Sequence, residues 1–430
     1  MNRIEKLLQK FCPDGVEFKA LGEVTIKNAF KQIGASELQA LNLKCGNIKL
    51  LPSSQNYDWW SDEKNCEKYI CSGEVMTLGR ARNPNLKYYN GKFVSSNNII
   101  IQAKQDILLG KFLYYLIAEK ATMFYVDTST YPKFDNKIFD NYKIPIPPLE
   151  IQKEIVSILD AFTELEAELE AELEARRKQY EHYRERLLSF DELERRARLC
   201  ASLRASVASA AIQNENIDCH EKSSDFSRND EPTPLVKMMK FGEFCEVKSG
   251  GTPSKTSKEY WNGEINWVKS EVCQNCLVYE NQVKEKITDL GLKKSSATLL
   301  RKNSVLIAMV GATIGKVGFL TFESATNQNI ASLYPLETNQ VNSKFVYYQS
   351  LNLYPKFKEL NKYEMANLTF IRNLQIPVPP LKVQNEVVEI LDKFDALVND
   401  ISQGLPAEMA LRKKQYEHYR EKLLSFKEKA

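Results

Sequence analysis

A fifteen-residue segment occurs twice in this chain, RRKQYEHYRERLLSF at 176–190 and RKKQYEHYREKLLSF at 412–426, with thirteen identical positions and two exchanges of Arg for Lys. The repetition extends upstream. PIPPLEIQKEIVSILDAF (145–162) matches PVPPLKVQNEVVEILDKF (377–394). Pro147-Pro148 and Pro379-Pro380 end the preceding structure and stand where proline is tolerated, just before a helix. Behind them apolar residues recur at helical spacing. They are Ile151, Ile155, Ile158, Leu159, Phe162, Leu165, Leu169 and Leu173 in one copy, and Val383, Val387, Leu391, Phe394, Leu397 and Ile401 in the other. Each set is a narrow apolar stripe on a charged helix, the pattern of a seam for a second helix. At ~1.5 Å per residue a helix over 150–190 is roughly 60 Å long, and the obvious cover for its stripe is its own sequence relative.

Fainter echoes precede both helices in the same order: VEFKALGEV (16–24) and VKMMKFGEF (236–244), SSNNIII (95–101) and ATNQNIA (325–331), KFLYY (111–115) and KFVYY (344–348). The chain is read as α+β, two globular modules related by a pseudo-twofold axis and separated by two long antiparallel coiled-coil helices. The expected boundaries are 1–146 for the first module, 147–190 for its helix, 191–235 for a linker, 236–378 for the second module and 379–426 for its helix. The linker opens as a helix tail (DELERRARLC), continues Ala/Ser-rich, and ends in polar EKSSDFSRNDEPTP, the composition of a flexible segment. Inside the modules EVMTL, NNIII, SVLIAMVG, VGFLTF and IASLY read as strands, 110–120 and 343–351 as helices, and Asn-Gly at 90–91 and 262–263 as turns. In the second long helix Gly404 and Pro406 should break or kink the path.

At 430 residues, 43% hydrophobic and 27% charged, the chain can build more than one core. No run of 18 apolar residues suggests a membrane span. Nine cysteines without regular spacing fit a reduced, cytoplasmic setting. The net charge is only +3, so a nucleic-acid surface has to come from uneven distribution. The distribution is uneven. Residues 150–175 hold nine acidic side chains and one Lys, which no phosphate backbone would accept. Residues 74–104 hold Arg80, Arg82, Lys87, Lys92 and Lys104 against Glu74, and 284–316 hold seven Lys/Arg against Glu285 and Asp289. Trp59, Trp60, Tyr88, Tyr89, Trp261 and Trp267 lie near these loops. Basic loops rich in Gly, Ser, Thr and Asn suit phosphate positioning with base-edge reading; ordinary solvated loops would look the same. GATIGK (311–316) is one residue short of a phosphate-binding loop and Val317 stands where Ser or Thr is required. Cys273 and Cys276 have no second pair at zinc spacing.

KSGGTPSKTSKEYWNGEINWVKS (248–270), SVLIAMVGATIGKVGFL (304–320), STYPKFDNKIFDNYKIPIPPLEIQ (129–152) and the tandem layout resemble the specificity subunit of type I restriction–modification enzymes. The resemblance covers nearly all of the chain except 191–235. It implies that each module is a target-recognition domain reading one half of a bipartite site in double-stranded DNA. The helices would set the gap and dock two methyltransferase subunits, which recruit two restriction/translocase subunits. No catalytic site, metal or cofactor is expected on this chain; S-adenosylmethionine, ATP and Mg would belong to the partners. ELEAELEAELEA (164–175) fits a spacer, since one added tetrapeptide lengthens a helix by ~6 Å; helix filler without selected function is the plain alternative. The DNA-contact candidates are Arg80, Arg82, Lys87, Ser129, Thr130 and Lys133 in the first module. In the second they are Lys248, Thr252, Ser254, Lys255, Lys258, Thr313 and Lys316. The docking candidates are Tyr180, His182, Tyr183 and Leu187, with Tyr416, His418, Tyr419 and Leu423. The competing readings are a coiled-coil structural scaffold whose modules bind proteins, and an enzyme using GATIGK.

Overall fold

The computed structural model describes residues 3–55, 58–214, 234–359, 366–399 and 404–429. The chain divides into two compact units, Met1–Leu169 with Met409–Ala430, and Glu170–Glu408. The first unit is built on a twisted sheet. Its strands lie in the order Thr25–Lys27, Asn98–Ala103, Cys71–Gly79, Lys87–Ser96, Ile48–Leu51 and Trp59–Ser61, with Gln32–Ile33 beside Lys87–Ser96. The core packs this sheet against helix Gly110–Ile117: Met76, Leu78, Ile99 and Ile101 meet Phe112, Leu113 and Tyr115. The second unit has a five-stranded sheet in the order Cys245–Ser249, Ile330–Pro335, Val305–Ala308, Val317–Leu320 and Cys276–Val278. A four-stranded sheet of Glu285–Ile287, Trp261–Val268, Ser324–Thr326 and Leu299–Leu300 accompanies it. Helix Ser343–Leu351 takes the place that Gly110–Ile117 has in the first unit.

Both Asn-Gly pairs differ from expectation. Asn90 and Gly91 lie inside strand Lys87–Ser96, facing Glu74 and Gly73 across an unbroken ladder in which Gly91 (φ +145°) and Gly73 (φ +152°) form one pair. Asn262 (φ 61°) and Gly263 form a bulge, where Ile287 faces both Trp261 and Ile265. The positive-φ chemistry that makes Asn-Gly a hairpin signal also serves a bulge. A Cβ on Gly263 would stand 2.5 Å from the Ile287 carbonyl oxygen, so the bulge needs glycine.

One short two-stranded ribbon closes each module. Glu17–Ala20 pairs antiparallel with Lys143–Ile146, and Lys237–Lys240 with Gln375–Val378, each ending at its Pro-Pro pair. Helix Leu149–Leu187 follows the first. After the second come Leu381–Asn399 and Leu405–Leu424, divided around the segment that contains Gly404. The expected linker starts with a full helix, Phe190–Asn214, rather than a short tail. Its Ala/Ser-rich stretch is a good helix former because alanine loses no side-chain entropy. Glu194 fastens it by accepting the Leu235 and Val236 amides at 3.2 and 2.8 Å. The polar stretch at 215–233 lies outside the described residues.

The repeated letters at the helix starts have atomic causes. Gln152 and Gln384 are fully buried. Gln152 accepts the Leu109 amide (2.9 Å) and donates to the Ile107 and Pro147 carbonyls (2.8 and 2.7 Å). Gln384 accepts the Asn342 amide (2.9 Å) and donates to Gln340 and Pro379 (3.0 and 2.8 Å). Lys111 and Tyr115 both reach Asp160, at 2.7 and 2.6 Å. Lys344 and Tyr348 reach Asp392 at 2.7 and 2.5 Å. The Gln of each Pro-Pro helix start, the Asp of its ILD and the KF-x-YY echo are therefore one interlocking device, used once per unit.

Candidate nucleic-acid interface

In the first unit the strands Cys71–Gly79 and Asn98–Ala103 end side by side, with Gly79 opposite Asn98. The loop that leaves this edge carries Arg80 and Arg82. It is stitched to the loop before the long helix: the Phe134 amide donates to the Arg80 carbonyl (3.1 Å), the Arg82 amide to the Pro132 carbonyl (2.7 Å), and Ala81 bridges Lys133. Tyr131 is held by Thr128, whose hydroxyl donates to the Tyr131 carbonyl at 2.7 Å and accepts its amide at 3.4 Å. The Arg82 guanidinium and the Lys133 ammonium lie 5.5 and 5.6 Å from the centre of the Tyr131 ring. Arg80, Arg82, Ser129, Thr130 and Lys133 are all exposed. The fold thus gathers five of the six first-module candidates on two joined loops.

Lys87 is the correction. It is 7% exposed, and its ammonium donates to the Pro52 carbonyl at 2.8 Å and to Asn85 at 3.3 Å. Burial lowers its pKa to about 8. The ammonium braces the loop from inside and offers nothing to a phosphate. The sequence concealed this because a lysine that caps backbone carbonyls looks like one that binds anions.

In the second unit four strand ends meet at one edge: Ser249 faces Ala331, and Ala308 faces Ile330 and leads through Gly311–Thr313 to Val317. Thr252 donates to Gln328 at 2.7 Å, Ser254 and Thr256 share a hydrogen bond of 2.7 Å, and Lys316 reaches Gln274 at 2.8 Å. Trp267 and Trp261 hold the Gly-Gly-Thr-Pro loop from below, donating to the Gly251 and Ser254 carbonyls at 3.0 and 3.1 Å, with their rings edge to face at 5.1 Å. A Cβ on Gly250 would fall 1.9 Å from the Thr326 carbonyl oxygen, so the loop passes where only glycine fits. Thr252, Ser254, Lys255 and Lys258 are exposed, and Thr313 and Lys316 are half-buried. Lys248 lies on the strand itself, paired with Glu246 at 2.5 Å. The Gly311–Lys316 hairpin joins two antiparallel strands, and no helix follows to supply the amide-rich N-terminus of a phosphate-binding loop.

The docking candidates are mostly turned inward. In the first unit Tyr416 and Tyr419 lie against Phe162, with ring centres at 6.0 and 5.6 Å, and Leu423 joins the core with Ile151, Ile155 and Leu159. In the second Tyr180 and Tyr183 lie against Phe394 at 6.5 and 5.5 Å, and the Tyr180 hydroxyl reaches Asp395 at 3.4 Å. Each helix end thus packs on the helix start of the other copy. Tyr180, Leu187 and Leu423 are buried by the chain itself, while His182, His418 and Tyr419 are exposed. Tyr131, within STYPKF at 129–134, carries no signal of its own in the sequence and gains one only from the cations the fold brings to its ring.

A family model described as "Type I restriction modification DNA specificity domain" matches residues 13–175 and 235–410. The Escherichia coli type I restriction enzyme EcoR124I/EcoR124II specificity subunit is 31% identical over 348 residues, 77% of this chain and 74% of that protein. A putative type I restriction enzyme specificity subunit of Haemophilus influenzae is 29% identical and covers 98% of both chains. Among solved structures, the S subunit of a type I system from M. genitalium aligns with a TM-score of 0.56 at 14% identity, over 95% of this chain and 96% of that one.

Proposed function

Because this chain belongs to the family of type I restriction–modification DNA specificity domains, we propose that it is the DNA-reading subunit of such a complex, with each module reading one half of a bipartite site. One observation carries the reading. The two units repeat the same scaffold down to Gln152/Gln384 and Asp160/Asp392, yet differ in the loops at the strand edge, Arg-Ala-Arg-Asn-Pro-Asn at 80–85 and Gly-Ala-Thr-Ile-Gly-Lys at 311–316. A constant frame with variable polar loops is what two readers of different base sequences require. The bonds, stacks and caps within each frame are structural; chemistry on DNA is assigned to partner subunits carrying S-adenosylmethionine, ATP and Mg. Two methyltransferase subunits dock on the outward faces of the two repeated helix ends, around His182 and His418, and two restriction/translocase subunits join them.

Mapping methylated adenines in the host genome tests this. The expected result is two short specific blocks separated by a fixed unspecified gap, lost when this gene is deleted. One continuous short motif, or methylation unaffected by the deletion, refutes it.

A further inference from the structure

Arg82 has a backbone conformation that an arginine rarely adopts. Its φ is +68°, in the left-handed region where glycine and asparagine are the ordinary residues. Backbone strain of this kind persists where the surroundings enforce it, and it collects at binding sites. The surroundings do enforce it: the Arg82 amide is tied to Pro132, the neighbouring Ala81 is bridged to Lys133, and the next amide, Asn83, folds back to Ala81 at 3.0 Å. The side chain leaves this turn exposed, beside the Tyr131 ring, and among the described residues no carboxylate pairs with it. Lys133 lies near the same ring. Two like charges are therefore gathered at one aromatic ring, an arrangement that repels itself until an anion or an acceptor-rich surface arrives.

The two cations differ in what they can recognise. Lys133 is a point charge suited to a phosphate. The guanidinium of Arg82 is a planar fork suited to two acceptors side by side. In the major groove that pattern belongs to guanine, through O6 and N7. We infer that Arg82 is a specificity-determining residue of the first module, reading a guanine edge in its half-site, and that Tyr131 is the positioning residue that holds the guanidinium at the angle set by the left-handed turn. The inference rests on the DNA-reading function proposed above and adds which residue reads and which base.

The strain supplies the test. Glycine accepts φ +68° freely, so Arg82→Gly removes the side chain while relaxing the turn. The full chain, assembled with its methyltransferase partner, is titrated against a duplex carrying the mapped site and against one of equal length without it, over a range of salt. The expected result for Arg82→Gly is an unchanged or higher melting temperature, with affinity for the mapped site lowered by about tenfold to a hundredfold and little change on the other duplex. Methylation should also be relaxed at one guanine of the first half-site. Tyr131→Leu should lose part of the same discrimination, and Tyr131→Phe should restore it. Equal losses on both duplexes would make Arg82 a phosphate clamp and overturn the inference, as would unchanged affinity on both. Wild-type complex that binds neither duplex specifically would overturn the DNA-reading function instead.

Discussion

Gln152→Leu isolates the joint between a module and its long helix. The substitution keeps side-chain volume and removes three hydrogen bonds at once, two donated and one accepted. The Pro147 carbonyl is left in a buried site, whereas the Leu109 amide and Ile107 carbonyl are part-buried, where water can reach them. An unsatisfied buried group costs about 1–3 kcal/mol and a bond replaced by water rather less, so the three together cost about 3–4 kcal/mol. The apolar atoms that replace the amide return about 1 kcal/mol. The net loss is about 2–3 kcal/mol, or about 4–12 °C in melting temperature for a unit of 150–250 residues. Scanning calorimetry of the full chain reads this directly, and Gln384→Leu should produce a loss of the same size. Gln152→Glu carries a further signature. Its carboxylate faces two carbonyls at neutral pH, and protonation restores one donor, so this variant should be less destabilised at pH 5 than at pH 7. A loss below about 1 kcal/mol for either leucine variant, or insensitivity of the Glu variant to pH, would refute the three-bond account.

Four further outcomes follow from the same geometry. The pKa of Lys87 is lowered on folding, so its burial opposes folding below about 8, and stability should rise between that pH and the ordinary lysine value; Lys87→Met should abolish that rise, as read by denaturant melts at stepped pH. Lys133→Ala should weaken binding to specific and unspecific duplexes alike and reduce the slope of log affinity against log salt by about 1. Phe394→Ala removes the ring on which Tyr180 and Tyr183 lie; half-buried, it should cost about 2 kcal/mol in a denaturant melt. His182→Glu should lower affinity for the methyltransferase subunit, measured by analytical ultracentrifugation, with melting temperature unchanged.

The sequence made the repeat, the Pro-Pro helix starts and the strand runs legible because each rests on local chemistry: proline geometry, apolar period and turn residues. It carried less about loops, where one residue type serves opposite ends. Lys87 and Lys133 are indistinguishable as letters, but one braces backbone carbonyls from inside and the other is exposed with its ammonium beside the Tyr131 ring. Tyr131 became visible only when Arg82 and Lys133, 51 residues apart in sequence, met around it. The Asn-Gly pairs failed as turn signals because both lie within strand ladders, one opposite Glu74 and Gly73 and the other in the bulge that faces Ile287. Asp135 and Asn367 cap the helices that follow them, accepting the amides of Ile138 and Phe370, as Asp and Asn side chains do at a helix start.

The repeated helix end is more alike than packing within the chain demands. Its inward residues have a reason to match, since Tyr416 and Tyr180 meet equivalent phenylalanines, Phe162 and Phe394. Its outward residues have none, and the helix starts provide the control. There the exposed pairs have diverged: Glu150 and Lys382, Lys153 and Asn385, Ser157 and Glu389, Ala161 and Lys393. On the helix ends the exposed pairs Lys178 and Lys414, Glu181 and Glu417, His182 and His418, Glu185 and Glu421, and Ser189 and Ser425 are identical, and the two that differ, Arg177 with Lys413 and Arg186 with Lys422, keep their charge. Both stretches are exposed faces of long helices, so solvent exposure does not separate them. The proposed docking of one kind of partner on both helix ends does, and on that proposal the divergent helix starts mark where the recognised surface stops.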